Sequence, residues 1–242
     1  MKANGFEDKI TIIKGKMEDI TLPVDKVDII ISEWMGYFLL YESMLDTVLF
    51  ARDKYLKVGG LMLPDKVSLY LAAIEDYQYK TNKFSFWDNV YGLNMDCIKK
   101  AAISEPLVDV VSSQQIISSE KKILELDLYT ITPADLNFSH KYSVIIERTD
   151  TIHALVAWFD AEFTKLKEPI KLTTSPYSKE THWRQVIFYL NEEINAKAGY
   201  ELHGSIAVRK SKKEHRSLDI KISYHYSDPE YTTDFIQLYK LQ

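Results

Sequence analysis

Two glutamates, Glu33 and Glu42, lie nine positions apart in the segment 32–44, directly after an apolar run at 27–31. Two carboxylates that face one cavity repel each other unless a cation binds between them. A planar guanidinium, with five fixed N–H donors, suits two such acceptors better than an ammonium group does. Their placement directly after a predicted strand therefore suggests a carboxylate-lined crevice, for which an arginine side chain would be the natural ligand. The alternative is that both glutamates cap helix ends or face water.

The residues around the two glutamates predict a strand, a turn and a helix. The continuous apolar run at 27–31 is typical of a parallel strand that is covered on both faces. Gly36 allows the chain to turn, and Ser43 is a candidate cap for a helix that we expect to end at Gly59 and Gly60. Ligands of open α/β sheets bind beyond the carboxyl ends of the strands, so we expect both glutamates to lie in such a crevice.

Three short segments resemble those of the protein arginine N-methyltransferases. Segments 32–37 (Ser-Glu-Trp-Met-Gly-Tyr) and 41–44 (Tyr-Glu-Ser-Met) resemble that family's double-glutamate loop, and segment 181–183 (Thr-His-Trp) resembles its threonine-histidine-tryptophan loop. The resemblance covers essentially the whole chain and is nearest to the predominant type I enzymes, which form asymmetric dimethylarginine. It implies transfer of methyl groups from S-adenosyl-L-methionine to arginine side chains of proteins.

The resemblance assigns the candidate catalytic residues. Glu33 and Glu42 would bind the substrate guanidinium, and His182 would help to shape the arginine pocket. In the family this histidine pairs with an aspartate of an amino-terminal motif that the chain lacks. Taken alone, a histidine between two strand-forming segments is more often a structural group than a catalyst, so both interpretations of His182 remain open.

Four further residues match donor-binding positions of the family. By the resemblance, Glu18 would accept a hydrogen bond from the adenine amino group, Met17 would pack on the adenine, Met44 would approach the donor and the target nitrogen, and Thr47 would be a lesser donor contact. Without the resemblance, Glu18 would be interpreted as solvent-facing. The segment 9–14 predicts a neighbouring strand whose carboxyl end opens onto the same crevice. No metal site is expected.

The chain departs from the family in its glycines. Its eight glycines include no Gly-x-Gly, so no glycine-rich turn can place backbone amides against a donor. We interpret the sequence as the carboxyl-terminal part, roughly two-thirds, of a methyltransferase, and we expect the chain alone to be poorly active or inactive. Two alternatives stay open: a catalytically inactive peptide-binding module, and a regulatory partner of an intact methyltransferase.

The pattern of the chain changes near Pro64, and the fold class predicted is α/β plus β. Residues 1–63 would be the carboxyl-terminal part of a doubly wound S-adenosylmethionine-dependent methyltransferase domain, and residues 64–242 an antiparallel β-barrel that binds the substrate. Aromatic residues crowd the segment 76–107, as ordinary core or as an interface. Its position resembles the family's dimerisation arm, which implies a homodimer of the intact protein. The candidate strands of the second domain are 67–74, 122–129, 142–147, 153–163, 183–190, 205–209 and 218–226.

Composition sets the remaining bounds. A chain of 242 residues that is 46% hydrophobic can bury the core of one or two domains, and its net charge of −5 argues against direct nucleic-acid binding. The single Cys97 excludes an intrachain disulfide, and no segment resembles a signal peptide or a membrane span. The basic stretch 209–213 predicts a solvated hairpin tip. We expect a cytoplasmic or nuclear protein without a membrane partner, and the resemblance implies arginine-rich substrates such as histone tails or RNA-binding proteins.

Overall fold

The computed structural model describes all residues from 1 to 242, with three α-helices and twelve β-strands. The helices are α1 (Leu45–Tyr55), α2 (Tyr77–Lys83) and α3 (Asp96–Ile103). The strands are β1 (Val27–Ile31), β2 (Leu56–Leu63), β3 (Lys66–Ile74), β4 (Leu107–Asp109), β5 (Lys121–Asp127), β6 (Phe138–Ile145), β7 (Asp150–Phe163), β8 (Ile170–Thr173), β9 (Gln185–Ala196), β10 (Glu201–Lys210), β11 (Leu218–Ser227) and β12 (Thr232–Leu241). None of the helices has the length and apolar character that crossing a membrane requires.

The first 63 residues contain a strand–helix–strand unit. Strands β1 and β2 are parallel neighbours, with Ile30 opposite Met62, and α1 connects them. The predicted strand at 27–31 is confirmed, but its predicted cover on both faces is wrong, since Ile29 is 52% and Ile31 75% exposed. This sheet has only two strands, so no second layer covers the outward side chains.

Two further predictions for this region are wrong. The segment 9–14 is not a strand, because no neighbouring strand supplies the hydrogen bonds that a strand needs. The helix does not extend to the two glycines: α1 ends at Tyr55, and Gly59 and Gly60 lie inside β2. A Cβ atom at Gly60 would lie 2.9 Å from the carbonyl oxygen of Asp28. This glycine therefore permits close approach of the parallel strands rather than ending a helix.

The residues after Pro64 form two antiparallel sheets. One has the strand order β4-β9-β7-β3-β5 with β8 beside β7, and the other has the order β12-β11-β10-β6. Each of the seven predicted strands overlaps an observed one, whereas β4, β8 and β12 were not predicted. The pairing gives two sheets and no closed ring, where the sequence predicted a barrel. Side chains of both sheets and of the segment 34–49 share one cluster of 43 buried residues.

The aromatic segment 76–107 contains α2, α3 and a 3-10 helix at Ser85–Asp88. Both interpretations of its aromatic residues hold in part. Phe84 is buried in a second cluster of 11 residues, where it packs on Tyr189. Tyr77, Phe86 and Tyr91 are exposed. The exposed aromatic side chains leave an apolar surface of the kind that protein interfaces use.

We expect Phe188→Ala to lower the free energy of unfolding by about 3–5 kcal/mol. The Phe188 ring is fully buried and makes edge-to-face contacts with Phe38, at 5.3 Å between centroids, and with Tyr239, at 5.1 Å. Urea denaturation measures the change. Tyr177→Ala is the control, because that ring is 58% exposed and its loss should change the free energy by less than about 0.5 kcal/mol. Similar losses in the two variants would contradict the packing described.

Candidate active site

One cavity of about 200 Å³ brings together four of the seven predicted site residues. Glu33, Glu42, Met44 and His182 all line it, although they come from distant parts of the chain. The other lining residues are Trp34, Met35, Gly36, Tyr37 and Trp183. The two glutamates therefore line one cavity.

The loop that carries both glutamates has an unusual backbone. Phe38, Leu39, Glu42 and Ser43 have φ angles of 51°, 65°, 81° and 59°, a region that side chains other than glycine rarely adopt. At Gly36 a Cβ atom would lie 2.0 Å from the carbonyl oxygen of Tyr41, so only glycine fits there. Such conformations persist only where the surrounding structure enforces them, and they cluster at functional sites.

Ser43 does not cap α1, and this prediction is wrong. The residue at the start of the helix is Met44, whereas the Ser43 hydroxyl donates a hydrogen bond of 2.7 Å to the carbonyl oxygen of His215. The hydroxyl is therefore used for a contact with the turn between β10 and β11. This turn, residues 211–217, is hereafter the β10–β11 turn. It contains most of the predicted hairpin tip at 209–213, and the predicted hairpin is confirmed.

His182 and Trp183 of the segment 181–183 line the cavity together with the glutamate loop. The Trp183 indole N–H donates a buried hydrogen bond of 2.7 Å to the carbonyl oxygen of Met35. The His182 ring lies 3.8 Å from the Trp183 ring, between centroids. The His182 imidazole forms no hydrogen bond or ion pair within the chain, so no internal polar contact supports the purely structural interpretation of this histidine.

The two glutamates differ in their partners. Glu33 makes no side-chain hydrogen bond or ion pair within the chain, and it does not cap a helix. One carboxylate oxygen of Glu42, Oε1, accepts an ion-pair contact of 2.8 Å from Nη2 of Arg216. Arg216 does not line the cavity. Sequence analysis missed this arginine, because the pair joins residues 174 positions apart and no local pattern indicates it.

Two of the three remaining candidates, Glu18 and Thr47, meet at the first turn of α1. The Thr47 hydroxyl donates a hydrogen bond of 2.6 Å to Oε1 of Glu18. This bond is the main reason that the pKa of Glu18 lies below its ordinary value, with a backbone hydrogen bond as the next cause. Glu18 is exposed, as the interpretation without the resemblance expected, and Met17 is half-buried. Met44 lines the cavity and Thr47 binds Glu18. Because residues three positions apart are neighbours on a helix, the cavity and Glu18 lie near the same end of α1.

Comparisons with known proteins agree with the sequence motifs. The family described as "Arginine methyltransferase oligomerization subdomain" matches residues 65–229. Protein arginine N-methyltransferase 1 of Chlamydomonas reinhardtii is 49% identical over 242 residues, which are 100% of this chain and 70% of that relative. The chain belongs to the protein arginine N-methyltransferase family. The resemblance found in the motifs is thereby confirmed.

Two other members of the arginine N-methyltransferase family show how much of the chain is shared. Protein arginine N-methyltransferase 1 of Oryza sativa subsp. indica is 49% identical over 242 residues, and this chain spans 62% of its length. The solved structure "Trypanosoma brucei PRMT1 enzyme-prozyme heterotetrameric complex with AdoHcy" is 40% identical with a TM-score of 0.96, over 100% of this chain and 76% of that chain. This chain therefore has the same fold as the matched part of the Trypanosoma brucei structure.

We expect Thr47→Val to raise the pKa of Glu18 toward its ordinary value, because valine cannot donate the hydrogen bond that stabilises the carboxylate. An NMR titration of the Glu18 side chain measures the shift. Thr11→Val is the matched control, since the Thr11 hydroxyl makes no hydrogen bond to Glu18. An unchanged Glu18 pKa in Thr47→Val would contradict the contact.

Proposed function

We propose that the protein is a protein arginine N-methyltransferase that transfers methyl groups from S-adenosyl-L-methionine to arginine guanidinium nitrogens, as a type I enzyme. The observation that carries the proposal is the cavity shared by Glu33, Glu42, Met44 and His182. A regulatory partner that only pairs with an intact methyltransferase would not need two carboxylates in one cavity. The cavity therefore favours the enzyme over an inactive regulatory partner.

The two glutamates would bind and orient the guanidinium. Glu33 and the free oxygen of Glu42 can each accept a charge-assisted hydrogen bond of about 1.5–3 kcal/mol. Aligning the target nitrogen with the methyl group could contribute about 7–11 kcal/mol to lowering the barrier, so positioning is the larger effect. When bound, the donor would supply an electrophilic methyl group: as the carbon–nitrogen bond forms, the carbon–sulfur bond would break with its electron pair going to sulfur. S-adenosyl-L-homocysteine would then leave, and the methylated nitrogen would give up one proton, so that the guanidinium keeps its single positive charge.

Glu18, Met17 and Thr47 would hold the adenine end of the donor. Glu18 uses one oxygen for Thr47 and keeps the other free to accept from an adenine amino group. Residues 1–242 contain no Gly-x-Gly that could hold the rest of the donor. We propose that this chain alone is therefore poorly active or inactive.

We further propose two functional regions. Residues 1–63 would be the carboxyl-terminal part of the donor-binding domain, and residues 64–242 the substrate domain, with its sheets forming a barrel-like unit.

The substrate peptide would follow an open groove that adjoins the cavity at Tyr37 and His182. Lys179, Glu180 and Arg184 also line this groove. Arginine-rich proteins, such as histone tails or RNA-binding proteins, are the proposed substrates.

The exposed aromatic residues of the segment 76–107 support a dimerisation arm. We propose that the intact protein is a homodimer and that it acts in the cytoplasm, the nucleus or both. A match to an oligomerization subdomain over residues 65–229 supports the oligomer. The solved relative from Trypanosoma brucei is a heterotetramer, which is consistent with assembly in the family.

The isolated chain should bind S-adenosyl-L-methionine weakly or not at all. By the resemblance Glu18 and Met17 would contact only the adenine, so the ribose and methionine parts would lack preorganised partners. Isothermal titration calorimetry measures the affinity. Low-micromolar affinity of the isolated chain would show that the proposed loss of donor binding is wrong.

The proposed activity is tested by fusing to Met1 the part of the Chlamydomonas reinhardtii relative that this chain does not match, and assaying an arginine peptide. We expect monomethylarginine first and then asymmetric dimethylarginine, because flexible Met44 can yield space for the added methyl group. Mass spectrometry distinguishes the isomers by their neutral losses. Glu33→Gln and Glu42→Gln should each lower turnover by about 100-fold or more while donor affinity stays nearly constant.

Glu18→Gln is the control in the same fusion, because it should weaken donor affinity with less effect on turnover. Predominantly symmetric dimethylarginine, or monomethylarginine that never advances, would exclude the type I assignment. Equal effects of all three substitutions on donor affinity would contradict the proposed division between substrate-binding and donor-binding residues.

A further inference from the structure

The β10–β11 turn holds the second half of the glutamate loop through backbone contacts. The backbone N–H of Glu42 donates a hydrogen bond of 2.8 Å to the carbonyl oxygen of Arg216. The Ser43 hydroxyl donates to the carbonyl oxygen of the preceding residue, His215. Two neighbouring residues of the loop are thus bonded to two neighbouring residues of the turn.

An ion pair supports the same contact one helical turn further on. Lys210, the last residue of β10, pairs with Asp46 in the first turn of α1. The turn and the residue before it therefore contact both the loop and the helix that follows the loop. This contact joins the region of the second glutamate to the four-stranded sheet, which is distant from it in sequence.

The Arg216 side chain adds a contact to the carboxylate itself. Its Nη2 lies 2.8 Å from Oε1 of Glu42, and its Cζ lies 5.9 Å from the centre of the Tyr41 ring. Because Arg216 does not line the cavity, it reaches Glu42 from outside and leaves Oε2 without a partner inside the chain. One oxygen is fixed, and the other is left for a ligand.

The pair is too exposed to matter mainly for stability. The side chains of Arg216 and Glu42 are 61% and 38% exposed, and ion pairs of this kind contribute little to the free energy of unfolding. What the contact does is restrict a carboxylate whose backbone already has the uncommon φ of 81°. A restricted carboxylate loses less conformational entropy when a ligand binds.

The charges at the site give the contact a second consequence. Glu33 and Glu42 carry two negative charges, and a bound guanidinium would cancel only one of them. Arg216 cancels the other, so the cavity with its arginine ligand is neutral. A surplus negative charge would attract arginine and lysine equally. A carboxylate fixed in position instead favours arginine, because only the planar guanidinium can form two parallel hydrogen bonds with it.

We propose that Arg216 is a positioning residue, which fixes the Glu42 carboxylate and balances its charge so that the cavity prefers arginine to lysine. The proposal rests on the proposed function, because it takes the cavity to be the arginine site. It assigns Arg216 no contact with the substrate. Its effect passes through Glu42 alone.

The test measures binding of two fluorescent peptides to the full 242-residue chain by anisotropy. The peptides are identical except for a central arginine or lysine. In Arg216→Gln the affinity ratio of arginine to lysine peptide should fall by about tenfold, because the unrestrained Glu42 carboxylate weakens the bidentate contacts that only arginine makes, whereas the surplus negative charge attracts both peptides alike. Arg216→Lys keeps the charge but not the fork, so its ratio should lie between those of Arg216→Gln and the unsubstituted chain.

Arg209→Gln is the matched control. Arg209 lies in the same hairpin, pairs with Asp219 at 3.1 Å and is 60% exposed, but it contacts neither the loop nor the cavity. Its ratio should equal that of the unsubstituted chain. A general loosening of the hairpin would weaken both peptides and would change both variants alike. That result, or an unchanged ratio in Arg216→Gln, would overturn the proposal.

Hydrogen exchange of the segment 37–44 separates this proposal from the proposed function. Arg216→Gln should speed exchange there by about twofold to fivefold, and Arg209→Gln should not. If the unsubstituted chain shows no preference for the arginine peptide, the proposed arginine site is wrong, and the exchange result alone decides whether Arg216 orders Glu42. Unchanged exchange in Arg216→Gln would then overturn the positioning role as well.

Discussion

The indole N–H of Trp183 donates to the carbonyl oxygen of Met35 at 2.7 Å, in a position that is shut off from water. A buried carbonyl that lost this donor would keep its desolvation cost, so the two segments are strongly held together. The bond joins the loop after β1 to the residues before β9, and thus the strand–helix–strand unit to the six-stranded sheet. Glu33 lies two positions before Met35 and His182 one position before Trp183, so the contact brings both side chains to one cavity.

A second tie acts at the other end of the loop. The β10–β11 turn holds Glu42 and Ser43, so the loop is fixed at Met35 by one sheet and at Glu42 by the other. Between these points, Phe38 and Leu39 have positive φ angles and are buried against the common core. The favourable packing of these side chains offsets the strain of their backbone. The spacing of the two carboxylates therefore depends on both sheets.

The sequence predicted the residues of the cavity better than the elements that hold them. The pair Glu33 and Glu42 is predicted from its placement after a strand and from the motif residues around it, which are local properties. The end of α1 was misplaced because Gly60 resembles a helix stop, whereas it is a contact between strands that no local pattern reveals. Strand β12 was missed because Thr233 and Gln237 occupy buried positions, where an apolar alternation is expected. The Arg216 pair could not be predicted, since it depends on how the two regions pack.

The surroundings of the two ends of the proposed active site differ in how deeply they are buried. No residue before Trp34 is buried, and the donor-binding candidates Met17 and Glu18 lie in that part of the chain. Met44 and the two glutamates instead adjoin a loop that is packed into the cluster of 43 buried residues. Local order follows the density of buried contacts, so within the 242 residues the surroundings of Glu42 and Met44 are more firmly ordered than those of Met17 and Glu18. In the proposed function, the preorganised loop would reduce the entropy lost when a guanidinium binds between Glu33 and Glu42.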